Sequence, residues 1–198
     1  MMASETLPEL KLRFATLPDW TKTVLADLDA FLLDHASNER KASATAMSML
    51  AHYPDRRELV LEMAELAREE LVHFKLVIHL IDERNLILRT DEKDPYLKAL
   101  RDSVRRGRDA YFLDRLLLGA IVEARGCERF GLIAKALPSG TLQEFYEQIA
   151  ESEARHHELF VRLATLYFPN EEVAARLDEL LDIESEIVRT LPIRAALH

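Results

Sequence analysis

Apolar residues recur along four long stretches of the chain at intervals that alternate between three and four residues. Such spacing puts them on one narrow face of an α-helix, and faces of this kind pack helices about 20° from parallel in a four-helix bundle. Pro54 ends the first predicted helix and Pro138 the third, because the residue before a proline resists the helical conformation. The four helices are predicted over residues 27–52, 55–84, 108–137 and 141–168.

Three shorter helices are predicted outside this set, over residues 18–26, 96–106 and 171–189. The connection between the second and third long helices contains Pro95 and is about twenty residues long. A connection of that length can cross the bundle from end to end, as in ferritin-like topology. We therefore predict an all-α, ferritin-like four-helix bundle with accessory N-terminal, crossover and C-terminal helices, in a single domain over residues 1–198.

The composition narrows the class of protein further. The 198 residues include five Gly and seven Pro, and 48% are hydrophobic, which disfavours turn-rich β architectures. With Cys127 as its single cysteine, the chain has no internal disulfide and no all-cysteine metal site, so a reducing cytoplasm is the expected location. The sequence lacks a signal-peptide pattern and the roughly 18 uninterrupted apolar residues of a membrane span. We expect a soluble, cytoplasmic protein with no membrane partner.

Each of the four apolar faces carries a glutamate near its middle, and two of these glutamates are followed by a histidine three residues later. Four carboxylates buried around one axis require compensating positive charge, and these faces contain no Lys or Arg to supply it. Two Glu-x-x-His motifs and two further glutamates provide six ligands for a pair of metal ions. The predicted ligands are Glu39, Glu70, His73, Glu123, Glu153 and His156.

The order of these ligands repeats along the chain. Glu39 precedes Glu70 by 31 residues and Glu123 precedes Glu153 by 30, so each half has a glutamate followed by a Glu-x-x-His motif. This is the ligand pattern of ferritin-like di-iron and di-manganese carboxylate proteins; the alternative is a set of polar residues that bind one another without metal. Carboxylate and imidazole ligands without thiolate suit iron or manganese in two oxidation states. Oxygenase, iron oxidation or storage, and dimanganese catalase functions all remain open at this point.

Several polar residues near the predicted ligands are given other roles. His35 lies one turn before Glu39, and we expect a buried histidine that binds a carbonyl or supports a ligand, in preference to a seventh ligand. Cys127 lies one turn after the third glutamate and faces the metals in this arrangement, although such a cysteine is more often a small core residue. Tyr111 and Tyr146 are expected to pack in the core with their hydroxyl groups hydrogen-bonded.

Six short segments around the predicted ligands and their connections carry a more specific signal. They are residues 17–20 (LPDW), 34–42 (DHASNERKA), 68–74 (REELVHF), 94–96 (DPY), 123–125 (EAR) and 153–157 (EARHH). Together these segments resemble the MiaE family of bacterial tRNA hydroxylases. The resemblance covers the chain from about residue 18 to residue 168.

The resemblance implies a nonheme diiron monooxygenase that uses dioxygen and two external electrons, supplied by a reductase or a ferredoxin-type partner. Its substrate would be tRNA, in which the isopentenyl group of methylthio-isopentenyl-adenosine beside the anticodon is hydroxylated. It also implies that the six predicted ligands bind two iron ions (Fe2+/Fe3+). Related bacterial multicomponent monooxygenases often have a threonine one turn after the third glutamate, where this chain has Cys127, so the route of oxygen activation can differ from theirs. Cys127 is also a candidate for substrate contact.

A tRNA substrate is a polyanion, whereas this chain has 26 Lys and Arg against 35 Asp and Glu, a formal net charge of −9. Binding would therefore depend on a local basic cluster, for which a solvated helix face is the alternative interpretation. The members of the predicted cluster are Lys98, Arg101, Arg105, Arg106 and Arg108, with Arg40, Lys41, Arg56 and Arg57 as further candidates. We expect a monomer or small oligomer, in contrast to the cage of a storage ferritin.

Overall fold

The computed structural model describes residues 7–198, and within that range the chain forms seven α-helices and no β-strand. The helices are α1 (Pro18–Ala26), α2 (Leu28–His52), α3 (Arg57–Glu83), α4 (Pro95–Asp102), α5 (Arg108–Ala136), α6 (Thr141–Tyr167) and α7 (Asn170–Thr190). The four long helices expected from the apolar spacing are α2, α3, α5 and α6. The predicted all-α class is confirmed.

Aspartate side chains cap two of these helices. Asp27 accepts a hydrogen bond from the backbone N–H of Ala30 at 3.1 Å, and Asp94 accepts one from Leu97 at 3.0 Å. The first amides of a helix have no partner within it, so a capping carboxylate stabilises the start of α2 and of α4. Pro95 is the first residue of α4, a position that needs no amide hydrogen.

The crossover helix is shorter than the sequence predicts, because α4 ends at Asp102 and does not continue to residue 106. The chain leaves the helix there because the backbone N–H of Arg105 donates to the buried carboxylate of Asp114, at 2.8 Å. Gly107 then adopts a φ of 105°, a conformation that a residue with a Cβ disfavours. The helix predicted over residues 96–106 is therefore wrong in its last turn.

The described chain divides into two compact units. The first unit comprises Pro18–Lys93 and Ile193–His198, and the second comprises Asp94–Pro192 with the described part of Met1–Leu17. The single-domain organisation over residues 1–198 stays a prediction, and the first six of those residues lie outside the described range.

In the first unit, α2 and α3 pack as a helical hairpin whose short connection makes them antiparallel. The hydroxyl of Ser43 in α2 donates to the carbonyl of Ala67 in α3 at 2.9 Å, which fixes the register of the pair. The indole of Trp20 in α1 lies edge-on to Phe31, with ring centroids 6.0 Å apart, and its N–H donates to the carbonyl of Ala196 at 3.0 Å. These contacts hold α1, α2 and the C-terminal segment around one core.

In the second unit, α5 and α6 form another antiparallel pair, and α7 packs against both of them. The fully buried guanidinium of Arg125 in α5 donates to Glu184 in α7 at 2.8 and 3.0 Å, and the hydroxyl of Tyr96 in α4 donates to the same carboxylate at 3.2 Å. A buried charge is tolerated when it is paired in this way. The pair therefore connects α4, α5 and α7.

Candidate metal centre

In the first unit, α2 and α3 bring three predicted ligands together. Glu39, Glu70 and His73 are all buried, and one ligand atom from each lies within 4.8 Å of the other two. The register explains this meeting, since Glu39 lies one turn before Ser43, while Glu70 and His73 lie one and two turns beyond Ala67 on the same face of α3. We call these three residues the first triad.

The donor atoms of the first triad are spaced as ligands of one ion would be. Nδ1 of His73 lies 3.4 Å from Oε2 of Glu70 and 3.6 Å from Oε2 of Glu39. Both distances exceed the roughly 2.7–2.9 Å of a charge-assisted hydrogen bond. Two atoms that are each about 2.1 Å from a shared ion lie roughly 3.0–3.6 Å apart at bond angles of about 90–120°. The spacing and the oxygen and nitrogen donors both fit a metal ion.

Imidazole groups lie beside the buried carboxylates of the first triad and change the pKa values there. Burial alone would raise the pKa of Glu39, but the hydrogen bond from His35 and the nearby imidazole of His73 outweigh it and hold that pKa well below its usual range. Burial lowers the pKa of His73, but the carboxylates of Glu39 and Glu70 outweigh this effect and raise it to about 9. The imidazole of His73 is therefore one source of the positive charge that the apolar faces do not draw from Lys or Arg.

His35 lies beside a predicted ligand. It is fully buried, and its Nε2 lies 2.6 Å from Oε1 of Glu39. The groups of close ligand atoms within residues 7–198 include Glu39 but not His35. Of the two roles considered for this histidine, the contact agrees with the supporting one.

In the second unit, α5 and α6 bring together the other three predicted ligands, which we call the second triad. Glu153 and His156 are buried and Glu123 is half-buried, and one ligand atom from each lies within 4.8 Å of the others. Nδ1 of His156 lies 3.4 Å from Oε2 of Glu153, the same separation as in the Glu-x-x-His motif of the first triad. The two motifs match because residues three apart share one face of a helix.

The helix positions on either side of Glu123 differ from those in the first triad. One turn before it is Gly119, against which Phe160 packs so closely that a Cβ would lie 2.9 Å from ring carbons. One turn after it is Cys127, which is half-buried, and burial raises the pKa of its thiol. A protonated thiol suits a core position better than metal ligation. The predicted contact of Cys127 with substrate stays a prediction.

The predicted basic cluster is exposed with one exception. Arg105 is half-buried and donates through its guanidinium to the buried carboxylate of Asp114, at 2.7 Å for the closest pair. Among the further candidates, Arg40 forms an ion pair with Asp91. The exposed members of the cluster are Lys98, Arg101, Arg106 and Arg108.

Of the two tyrosines expected in the core, one is there. Tyr146 is fully buried and stacks on Phe130, with ring centroids 5.8 Å apart. Tyr111 is 43% exposed, and the guanidinium of Arg115 lies 5.9 Å from its ring centroid. The expectation of a core position for Tyr111 is wrong, because the first turn of α5 presents this side chain to solvent.

Sequence reasoning missed two buried charge clusters on α5. Asp114 lies within an apolar run and accepts hydrogen bonds from Arg105 and from Arg176 of α7. The pair of Arg125 and Glu184 is the other cluster. For Asp114 the available signal was a charged residue inside an apolar run, but this signal does not identify the partner. Arg125 and Glu184 have charged residues nearby in the sequence, so neither gave such a signal.

Comparison with known proteins shows the family. Residues 6–198 match the family described as tRNA-(MS2IO6A)-hydroxylase (MiaE). The chain belongs to the MiaE family. A relative from Pseudomonas putida, named tRNA 2-(methylsulfanyl)-N(6)-isopentenyladenosine(37) hydroxylase, is 36% identical over 174 residues, which are 87% of this chain and 84% of the relative. A relative of the same name from Salmonella typhimurium is 32% identical over 155 residues, which are 78% of this chain and 56% of the relative.

A solved structure supports the same assignment of fold. It is described as Protein 43 with aldehyde deformylating oxygenase activity from Synechococcus, and it has 33% sequence identity and a TM-score of 0.88 over 93% of this chain and 92% of that chain. The ferritin-like fold predicted for this MiaE family member is therefore confirmed. Between residues 7 and 198, every helix is too short or too polar to cross a membrane.

Proposed function

We propose that this protein is an oxygen-dependent tRNA hydroxylase that acts on the isopentenyl group of methylthio-isopentenyl-adenosine beside the anticodon. The observation that carries the proposal is two triads, each with a glutamate and a Glu-x-x-His motif, in a chain of the MiaE family. Both relatives are named as hydroxylases of this nucleoside, which favours hydroxylation over iron storage and over a dimanganese catalase.

The six residues of the two triads are the proposed ligands of two iron ions. Their donors are carboxylate oxygens and imidazole nitrogens, a set that suits iron in two oxidation states. Bound iron would supply the two-electron reduction of dioxygen and the transfer of one oxygen atom into a C–H bond. The proposed ligands are Glu39, Glu70, His73, Glu123, Glu153 and His156.

The balance of the reaction requires an external electron donor. One C–H bond and one dioxygen molecule, with two electrons and two protons, give one C–OH group and one water. Carboxylates and imidazoles do not change oxidation state, so the electrons have to come from outside the two triads. A reductase or a ferredoxin-type protein is the class of partner that fits.

Each unit, taken by itself, has buried apolar side chains on the helices that carry its ligands, and side chains of this kind would contact the isopentenyl group and exclude water. A hydrocarbon group binds in surroundings of this kind, and the exclusion of water prevents side reactions of the oxidant. The residues proposed for this role are all buried. They are Met63 and Leu66 of α3, Leu116 and Phe130 of α5, and Ile149 and Phe160 of α6.

The exposed part of the basic cluster is the proposed tRNA-binding surface. The net charge of −9 makes a local cluster necessary. Contacts with phosphates would orient the anticodon loop, and the target base would turn outward to bring its isopentenyl group to the metal ions. The proposed phosphate contacts are Lys98, Arg101, Arg106 and Arg108.

The test is an assay with iron-loaded protein, a chemical reductant, dioxygen labelled with heavy oxygen, and tRNA that carries the prenylated adenosine. We expect the product nucleoside to carry one heavy oxygen atom in its side chain. The matched control is tRNA with an unmodified adenosine at the same position, which should gain no oxygen. Unlabelled hydroxyl groups, or unchanged tRNA with fully loaded and reduced protein, would contradict the proposal.

A further inference from the structure

The two oxygens of Glu39 have different neighbours in the first unit. Oε1 lies 2.6 Å from Nε2 of His35, whereas Oε2 lies 3.6 Å from Nδ1 of His73. A carboxylate that binds metal is ionised and can only accept hydrogen bonds, so Nε2 of His35 carries the hydrogen and donates it. One oxygen is therefore engaged by a short hydrogen bond, and the other faces the imidazole of a proposed ligand.

This contact is built into α2. His35 precedes Glu39 by one turn, and helical side chains lean toward the N-terminus, so the carboxylate of Glu39 lies over the turn that contains His35. The imidazole is fully buried and packs against Phe31, with ring centroids 6.1 Å apart. Phe31 packs in turn against Trp20 of α1. This column of rings restricts rotation of the imidazole and keeps its N–H directed at Glu39.

We propose that His35 is a positioning residue that restricts Glu39 to binding metal through Oε2 alone. The inference rests on the proposed ligand set. With Oε1 tied to the imidazole, Glu39 contributes one oxygen, whereas loss of the N–H donor frees the carboxylate to rotate and contribute both. The residue one turn before Glu123 is Gly119, which has no side chain to do the same. The helix position from which His35 holds Glu39 therefore supplies no matching donor to Glu123.

The experiment compares His35→Gln with His35→Met in the full chain. Glutamine and methionine have unbranched side chains of similar size, but only glutamine can donate a hydrogen bond to Glu39. His79→Ala, which removes an exposed histidine of α3, is the control. Each metal-free protein is titrated with Co2+ alone, and the visible absorption of bound Co2+, which depends on its coordination number, is recorded.

We expect wild type, His35→Gln and His79→Ala to bind two Co2+ ions with similar affinities and spectra. His35→Met should bind one of the two ions about 10–100-fold more weakly, because the carboxylate of Glu39 is no longer held in place before the ion binds. The bound Co2+ should show weaker visible absorption, because a Glu39 that contributes both oxygens raises its coordination number. Circular dichroism checks folding, and His35→Ala is the second donor-free variant if methionine unfolds the chain.

If the wild-type protein binds two Co2+ ions, two results would overturn the proposed role of His35 and leave the proposed ligand set intact. One is a donor-free variant with wild-type affinities and spectrum, and the other is a His35→Gln protein that loses as much affinity as His35→Met. A wild-type protein that binds no Co2+ would instead overturn the proposed ligand set, and the role of His35 with it.

Discussion

Asp114 accepts hydrogen bonds from two arginines inside the second unit, and its replacement by asparagine should destabilise the fold. The carboxylate is fully buried and lies 2.8 Å from the guanidinium of Arg176 and 2.7 Å from that of Arg105. The two arginines differ in exposure, since the side chain of Arg176 is 5% exposed and that of Arg105 is 38% exposed. Asparagine has the shape of aspartate but carries no charge.

The exposure of each arginine sets the size of the effect. Removing one partner of a buried ion pair costs about 3–5 kcal/mol. Arg176 keeps its ion pair with the exposed Glu179 at 2.6 Å and its hydrogen bond to the carbonyl of Ser103 at 2.9 Å. The cost of losing Asp114 should therefore fall at the lower end of that range. Solvent screens Arg105, whose pair contributes about 1 kcal/mol at most. Asparagine retains one oxygen as an acceptor. We therefore expect Asp114→Asn to lower the free energy of unfolding by about 3 kcal/mol at neutral pH.

The effect of Asp114→Asn should depend on pH in one direction. Burial would raise the pKa of Asp114, but hydrogen bonds from Arg176 and Arg105 outweigh it and hold that pKa below the ordinary 3.8. A carboxyl group with a depressed folded pKa contributes stability that is fully present above its unfolded pKa and is lost as the pH falls through the folded value. The difference between wild type and variant should be constant from neutral pH to about pH 5 and shrink below about 3.8.

The assay is urea unfolding of the metal-free protein, followed by circular dichroism at several pH values. Asp109→Asn is the matched control, because Asp109 is an exposed aspartate in the first turn of the same helix, and its loss should cost less than about 1 kcal/mol. A loss below about 1 kcal/mol in Asp114→Asn, or a difference that grows as the pH falls, would refute the reasoning.

Three further changes test other parts of the protein. Glu123→Ala should abolish hydroxylation and leave at most one iron ion per chain by metal analysis; full hydroxylation would exclude Glu123 as a ligand. Arg101→Glu combined with Arg106→Glu should weaken tRNA binding and make it depend less on salt concentration, while the iron content stays unchanged. Binding equal to that of wild type at several salt concentrations would show that neither arginine contacts tRNA. Gly107→Ala should lower the free energy of unfolding by about 1 kcal/mol, because its φ of 105° strains a residue with a Cβ. In the control Gly131→Ala, the new Cβ has nothing within 4 Å and alanine favours the helix, so this change should raise the free energy of unfolding. Melting temperatures that fall in both variants, or rise in both, would contradict the strained conformation at Gly107.

The helices and the members of each triad could be predicted because both depend on local periodicity. A residue three positions after a glutamate lies on the same helix face whatever surrounds the helix, so Glu70 and His73 are neighbours on any interpretation. The meeting of Glu39 with that motif follows from a hairpin of two helices with a short connection. The identity of the substrate was predicted from the resemblance to a family, because the spacing of residues carries no information about it.

The contacts that could not be predicted join residues that are far apart in the sequence. Asp114 meets Arg176 across 62 positions in the chain and Arg125 meets Glu184 across 59, so no periodic pattern connects them. The end of α4 depends on one of these contacts, because Asp114 also accepts from Arg105 and draws residues 103–107 out of the helix. The sequence predicts Arg105 as a tRNA contact but does not contain its pairing with Asp114, which the structure shows.

Mass spectrometry of tRNA nucleosides from cells with and without this protein tests the proposed hydroxylation most directly. In cells that lack the protein, we predict that the hydroxylated prenyl adenosine disappears and its unhydroxylated parent accumulates. Restoring the wild-type chain should return the hydroxylated nucleoside, and restoring Glu123→Ala should not. Hydroxylated nucleoside at the wild-type level in cells without the protein would contradict the proposed function.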